Sequence, residues 1–282
     1  MASFELLTPA TVDAAIATLR AIEPARRVVL AGGTDLLLDI DDGRAAPSQV
    51  ISLRRLPWRT LDWVEGSLTV GSTLALRSLE EEPEVARRYP ALAQAVRAVG
   101  SVALRHSATL GGNLARAAPA SDLIPVLLVL DAEVELVGPT GSRSLSVDRF
   151  LVASRRTAIA PDELIRAIRF PEPRPSAYLW QRVRRVHDIS QLAIAVAWSP
   201  DRRTWRVAVG GIPPRSVLLP EVAAALGGER PGSSELLTAR ARASRAVALV
   251  ADRRASEEYR RQLVGVLLER AVRSALGGGA AG

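Results

Sequence analysis

The sequence predicts an α+β protein of two domains. The length of 282 residues is about twice that of an ordinary domain. Helical and strand patterns alternate in the first part of the chain, whereas near the end apolar strands precede a long amphipathic helix. Between them, "FPEPRPSAY" (170–178) holds three prolines in nine residues and marks the boundary.

Residues 4–22 read as a short strand entry and a helix with Thr11 as N-cap, Asp13 in its first turn, and Val12, Ala15, Ile16 and Leu19 on one apolar stripe. "RRVVLAGG" is a buried strand ending in glycines, and "QVISL" is a second apolar run of strand length. "SLTVGSTLALRSLEE" reads as strand, turn and helix, and residues 91–100 as a helix stopped by Gly100. "DLIPVLLVLDAEVELVG" passes from a helix apolar nearly all round, hence buried, into a strand through Val134 and Leu136. "SVDRFLVASRRTAIAPDELIRAIRFP" gives helix, loop and a strand ended by prolines. Beyond the boundary, "QLAIAVAW" and "TWRVAVGGI" flank the turn "SPDRR" as a hairpin. Ser256 caps a final helix carrying Tyr259, Leu263, Val266 and Leu267, with Glu257 and Glu258 in its first turn.

Composition narrows the chemistry. A content of 48% hydrophobic and 24% charged residues is that of a globular protein with a buried core. No apolar run approaches the ~18–20 residues of a membrane span, and the start lacks a basic, apolar signal, so a cytoplasmic location is expected. There is no cysteine, which excludes disulfides, thiolate metal sites and iron–sulfur clusters held by this chain. With two histidines, His106 and His187, neither a histidine metal site nor a serine-hydrolase triad is expected; both read as structural or loop residues. An organic cofactor must therefore carry any electrons the protein handles. The net charge is +7, and all 37 basic residues are arginine. They are scattered, without a basic arm or interleaved aromatics, so no nucleic-acid partner is expected.

Two glycine motifs remain. In "AGGTDLL" (31–37) two glycines after a strand either simply turn the chain or bring bare N–H groups and the Thr34 hydroxyl close to a phosphate. It is neither a dinucleotide fingerprint nor a Walker loop. In "ATLGGNLARAAPASDLIP" (108–125), Thr109, Gly111, Gly112 and Asn113 offer the same chemistry, and Asp122 either caps the next helix or accepts hydrogen bonds from a polyol.

Taken in this order, "AGGTDLL" and "TLGGNLA…P..D..P.LL.L.A.V.L" resemble the FAD-binding (medium) subunits of the molybdenum hydroxylases, of the xanthine dehydrogenase, carbon monoxide dehydrogenase and aldehyde oxidoreductase type. "FELLTPATVDAAIATL", "RTAIAPDELIRAIRFP", "RVRRVHDISQLAIAVAW", "RVAVGGIPPRSVLLPEVAAAL" and "DRRASEEYRRQLVGVLLERA" extend the likeness over nearly the whole chain. The resemblance implies a two-subdomain FAD-binding domain of the vanillyl-alcohol-oxidase/PCMH type over residues 1–172 (subdomains about 1–55 and 56–172). A smaller α+β C-terminal domain, a sheet with packed helices, then covers 176–276, and 277–282 is a flexible tail. It implies FAD contacts from Leu30, Ala31, Gly32, Gly33, Thr34, Asp35 and Leu36 in one turn, and from Thr109, Gly111, Gly112 and Asn113 in the other. Asp122, Ile159 and Gln181 complete the set. No acid–base catalyst and no metal ligand is expected on this chain. Members often place a lysine near the flavin where Trp180 and Gln181 stand here. Implied partners are a large molybdopterin subunit and a small [2Fe–2S] subunit in a dimer of heterotrimers, with electrons leaving to NAD, a quinone or oxygen. The alternatives are a free-standing FAD oxidoreductase of this fold and a flavin-less assembly subunit.

Overall fold

The computed structural model describes residues 3–184 and 188–277. The chain begins with β1 (Glu5–Leu7), α1 (Val12–Ala21), β2 (Arg27–Leu30), α2 (Leu36–Asp41) and β3 (Gln49–Ser52). The three strands are parallel, in the order β1-β3-β2, as helical crossovers between strands demand. The Thr11 hydroxyl caps α1 by accepting from the Ala14 N–H at 3.2 Å. Ala15 and Leu19 then turn inward against Ile51, Leu53 and Trp58.

The middle of the chain lays six helices along a second sheet. β4 (Leu61–Val64) and β5 (Ser67–Gly71) precede α3 (Leu76–Glu81), α4 (Pro83–Arg88), α5 (Pro90–Ala98), α6 (Val102–Arg105), α7 (Leu110–Arg116) and α8 (Leu123–Val129). β6 (Glu133–Gly138), β7 (Gly141–Ser146), α9 (Val147–Phe150), β8 (Leu151–Ala153), β9 (Arg156–Thr157) and β10 (Leu164–Phe170) follow. The sheet runs β4-β5-β10-β6-β7, antiparallel throughout. Every residue of α8 is buried, as a helix without a polar face must be. The expected loop after α9 holds the small hairpin β8–β9.

The last part comprises β11 (Ser176–Gln181), β12 (Leu192–Ser199), β13 (Thr204–Gly210), β14 (Val217–Leu218), α10 (Pro220–Ala225), α11 (Ser233–Ala246) and α12 (Glu257–Ala275). Its strands pair antiparallel in chain order. β12 is buried along its whole length, because both faces of the sheet are covered. Leu192, Ile194, Val196 and Trp198 pack with the residues of α10, α11 and α12. Ala193, Ala195 and Ala197 belong instead to the core that contains α8. Their small size permits close approach: a β-carbon on the neighbouring Gly210 would lie 2.3 Å from Pro125 Cγ of α8. The Ser256 hydroxyl caps α12 by accepting from the Tyr259 N–H. Among the described residues no helix is long and apolar enough to cross a membrane. His187, and the tail beyond Gly277, lie outside the described residues.

Candidate functional site

β2 stops at Leu30 and α2 starts at Leu36, so five residues make the connection. Gly33 takes a φ of 76°, where a β-carbon is strained. Gly32 lies flat on the chain at 107–108: a β-carbon there would sit 1.9 Å from the Ser107 carbonyl oxygen. With the turn pinned in this way, the consecutive N–H groups of Gly32, Gly33, Thr34, Asp35 and Leu36 donate to no protein acceptor among the described residues. Residues Gly32, Gly33, Thr34 and Leu36 are half-buried. Lining a cleft that water can enter, these N–H groups are left available to an acceptor that enters it. A run of them in a turn is a concave anion site.

The second motif turns out differently. Residues 110–116 are the short helix α7, capped by Thr109, so Gly111 and Gly112 lie in its first turn. The Gly111 N–H donates to the Ser72 carbonyl at 3.2 Å, and the Gly112 N–H to Thr109 Oγ1 at 3.0 Å. Its glycines therefore supply shape more than free donors. A β-carbon on Gly111 would meet Ser72 Cβ at 2.5 Å, whereas one on Gly112 would face only Thr109 Oγ1 at 2.9 Å and Ala31 Cβ at 3.8 Å. The Asn113 carbonyl oxygen accepts from Ser121 Oγ at 2.5 Å, which leaves its NH2 group without a protein acceptor among the described residues.

The two motifs lie side by side, a β-carbon on Gly112 falling 3.8 Å from Ala31 Cβ, and both line one cleft of about 810 Å³, within the size range of small-molecule sites. Ala31, Gly32, Gly33, Thr34, Asp35, Leu36, Thr109, Gly111, Gly112 and Asn113 all line it, while Leu30 lines neither this cleft nor the next one. A second cleft of about 620 Å³ shares Asp35, Val99, Gly100, Asn113, Arg116 and Ile189 with the first and reaches Asp122 and Arg182. Ile159 and Gln181 line neither cleft; Ile159 packs against the central core, and the Gln181 amide donates to the Arg182 carbonyl.

Asp122 does not cap α8 with its side chain. Ser121 does so, its hydroxyl accepting from the N–H groups of Leu123 and Ile124. Asp122 is free instead to reach the last part of the chain: it accepts from Tyr178 Oη at 2.6 Å, Ser190 Oγ at 2.7 Å and Arg182 Nη2 at 2.7 Å. Burial pushes its carboxyl up, against the pull of the Arg182 charge and of these hydrogen bonds. Burial, and then the Asp122 charge, push the Tyr178 phenol far up, so it stays a donor.

Three arginines that no local pattern singles out fix the surroundings; Arg116 and Arg182 line the clefts, and Arg105 lines neither. Arg116 Nη1 contacts Asp39 Oδ2 at 2.5 Å and so ties α7 to α2. The hydrogen bonds of Arg44 and Arg116 hold the Asp39 carboxyl below its usual range. Arg105 grips Glu80 through Nε and Nη2, at 2.8 and 2.9 Å, and donates to the Val99 carbonyl at 2.9 Å. It thereby anchors the 99–100 corner shared by both clefts. Arg182 donates to the Ala98 carbonyl, one residue before that corner. His106, next to Arg105, is exposed.

Comparisons with known proteins place the whole chain in one family. The family described as "FAD binding domain in molybdopterin dehydrogenase" matches residues 2–173, and "CO dehydrogenase flavoprotein C-terminal domain" matches residues 177–275. The medium subunit of nicotine 6-hydroxylase from Paenarthrobacter nicotinovorans is 30% identical over 94% of both chains. The medium chain of carbon monoxide dehydrogenase from Afipia carboxidovorans is 28% identical over 97% of this chain and 96% of the relative. A solved structure of reconstituted CO dehydrogenase from Oligotropha carboxidovorans superposes with a TM-score of 0.89 at 26% identity, covering 98% of this chain and 99% of that one. The chain thus belongs to the FAD-binding subunits of the molybdenum hydroxylases, a family of oxidoreductases with FAD as the cofactor of this subunit.

Proposed function

We propose that the chain is an electron-transfer subunit, taking electrons from [2Fe–2S] clusters of a small partner and delivering them to NAD, a quinone or oxygen. The substrate is then oxidised at molybdopterin in a large partner, and the assembly is a dimer of heterotrimers. The observation that carries the reading is the run of five N–H groups at Gly32–Leu36 without a protein acceptor among the described residues, an arrangement that suits a pyrophosphate. The absence of cysteine supports the division of labour, because no cluster can be ligated here.

In this reading residues 1–172 carry the flavin, with subdomains about 1–55 and 56–172, and 176–276 form the C-terminal domain that closes over it. The N–H groups of Gly32, Gly33, Thr34, Asp35 and Leu36, the Thr34 hydroxyl and the Asn113 amide bind the pyrophosphate. Leu30 supports that turn from behind, Ala31 lies on the cleft wall beside it, and Thr109, Gly111 and Gly112 keep the adjoining wall low enough for close approach. Arg116 neutralises phosphate charge, and the lone-pair capacity left on Asp122 orients the polyol or the ring. Ile159 and Gln181 enter the set on the resemblance alone. Bound FAD supplies the redox chemistry, accepting and releasing electrons one or two at a time.

Purification of the native assembly tests the proposal. A yellow chain that co-purifies with molybdenum- and iron-containing partners, and oxidises no substrate without them, is the expected result. Substrate oxidation by the isolated chain would favour a free-standing oxidoreductase. A colourless chain that still assembles would favour a flavin-less subunit.

A further inference from the structure

Four arginines, Arg116, Arg155, Arg182 and Arg254, line the second cleft. They differ in how water treats their charge. The side chains of Arg116 and Arg254 keep 25% and 27% of their exposure, and Arg155 is exposed, but Arg182 keeps only 9%. A charge in the interior acts at an effective dielectric near ~20, against ~80 in water, so at equal distance it is felt about fourfold more strongly. Arg182 is therefore the cation of the cleft whose charge water screens least.

It is also held in place. Its Nη2 donates to Asp122 Oδ2 and to the Ala98 carbonyl, each at 2.7 Å, and its Nε to Ser190 Oγ at 3.3 Å. The guanidinium lies 5.6 Å from the Trp180 ring centre, and Trp180 stacks on Tyr178 at 5.4 Å. A surface lysine, of which this chain has none, would be neither so rigid nor so dry. Among the described residues one acid, Asp122, lies within ion-pair distance of Arg182, and it lines the same cleft, as Asp35, Asp188 and Asp252 do.

We propose that Arg182 and Asp122 form a charge pair that sets the reduction potential of the bound flavin. The proposal rests on the reading that FAD occupies these clefts. A reduced flavin carries more negative charge than an oxidised one, so an uncompensated arginine at the cleft wall favours reduction and an uncompensated carboxylate opposes it. The pair holds the two tendencies against each other, and Tyr178 and Ser190 keep Asp122 in position. Arg182 acts as a positioning and electrostatic residue; it transfers no proton.

The midpoint potential of the protein-bound flavin, measured by spectroelectrochemistry, tests this. Asp122→Asn leaves Arg182 unpaired and always charged, so the potential shifts upward. Arg182→Met shifts it downward at pH values where Asp122 is ionised, and Arg182→Lys keeps it near the starting value. The double variant Asp122→Asn/Arg182→Met removes both charges and returns the potential toward that of the parent. A purely structural role would not produce opposite shifts that cancel. Unchanged potentials in both single variants, or a double variant that does not revert, overturn the proposal. A single variant that loses its flavin is reconstituted with excess FAD before its potential is read, and the same opposite, cancelling shifts are required of it. A parent protein without flavin would overturn the functional reading itself, which keeps the two failures distinguishable.

Discussion

Gly32 and Gly112 sit in two similar motifs but bear different loads. Gly32 is closed in by the Ser107 carbonyl, so Gly32→Ala must displace backbone. We expect a stability loss of ~1–3 kcal/mol or more, read as a lower urea midpoint even in flavin-free protein. Gly112 opens toward the cleft, and a β-carbon there meets Ala31 Cβ at 3.8 Å and the Thr109 hydroxyl that caps α7 at 2.9 Å, but no backbone. Gly112→Ala should therefore cost less stability than Gly32→Ala, about 1 kcal/mol read from urea unfolding, the cap contact being offset in part by the helix preference for alanine, while flavin content falls. Equal flavin retention in the two proteins would argue against pyrophosphate at that wall. Gly33, with φ 76° and Leu30 and Leu37 at 3.1 Å from a would-be β-carbon, is a poorer probe, because Gly33→Val disturbs fold and ligand together. Glycine was legible at these places because its reason is local: only it tolerates such conformations and approaches. Sequence alone did not show that one motif offers free N–H groups and the other spends them on Ser72 and Thr109.

At the scale of elements, ion pairs join segments that sequence keeps apart. Arg105 and Glu80, 25 positions apart, hold the corner after α5. Arg105→Met leaves the Glu80 carboxylate with Arg77 as its remaining partner at 3.0 Å and should cost ~1–3 kcal/mol, with weaker flavin retention because Val99 and Gly100 lose their anchor. Such pairs could not be read in advance: 37 arginines face 30 acids, and no local rule assigns partners. The helices and strands were clearer, since Thr11 and Ser256 announce their caps and β12 its apolar run. The loop before α12 makes a pH prediction. Burial raises the Asp252 carboxyl, but the Arg260 hydrogen bond and the N–H groups of Arg254 and Ala255 outweigh it and hold the pKa at about 2. A depressed pKa contributes stability above the carboxyl's unfolded value of 3.8 and loses it as pH falls through about 2. The stability gap between parent and Asp252→Asn should be full at neutral pH and close between those limits, followed by Trp198 and Trp205 fluorescence in urea. A gap independent of pH would mean that the ionised carboxylate is not what holds the loop.

For the molecule as a whole, composition set the strongest bounds. A chain without cysteine should be purified with flavin and no iron of its own, and metal analysis of the isolated chain checks this. The boundary prolines were visible in sequence, but the intimacy of what they separate was not. Ala193, Ala195 and Ala197 place the last sheet in the same core as α8, and Asp122 reaches across to Tyr178 and Ser190. Two stretches matched by separate families thus share one interior. A peptide bond cut between Phe170 and Ser176 should leave the fragments co-eluting as one particle and melting in one transition. For evolution this means that neither half was free to be exchanged alone: a new partner at either end had to be accommodated without altering the alanine seam between them.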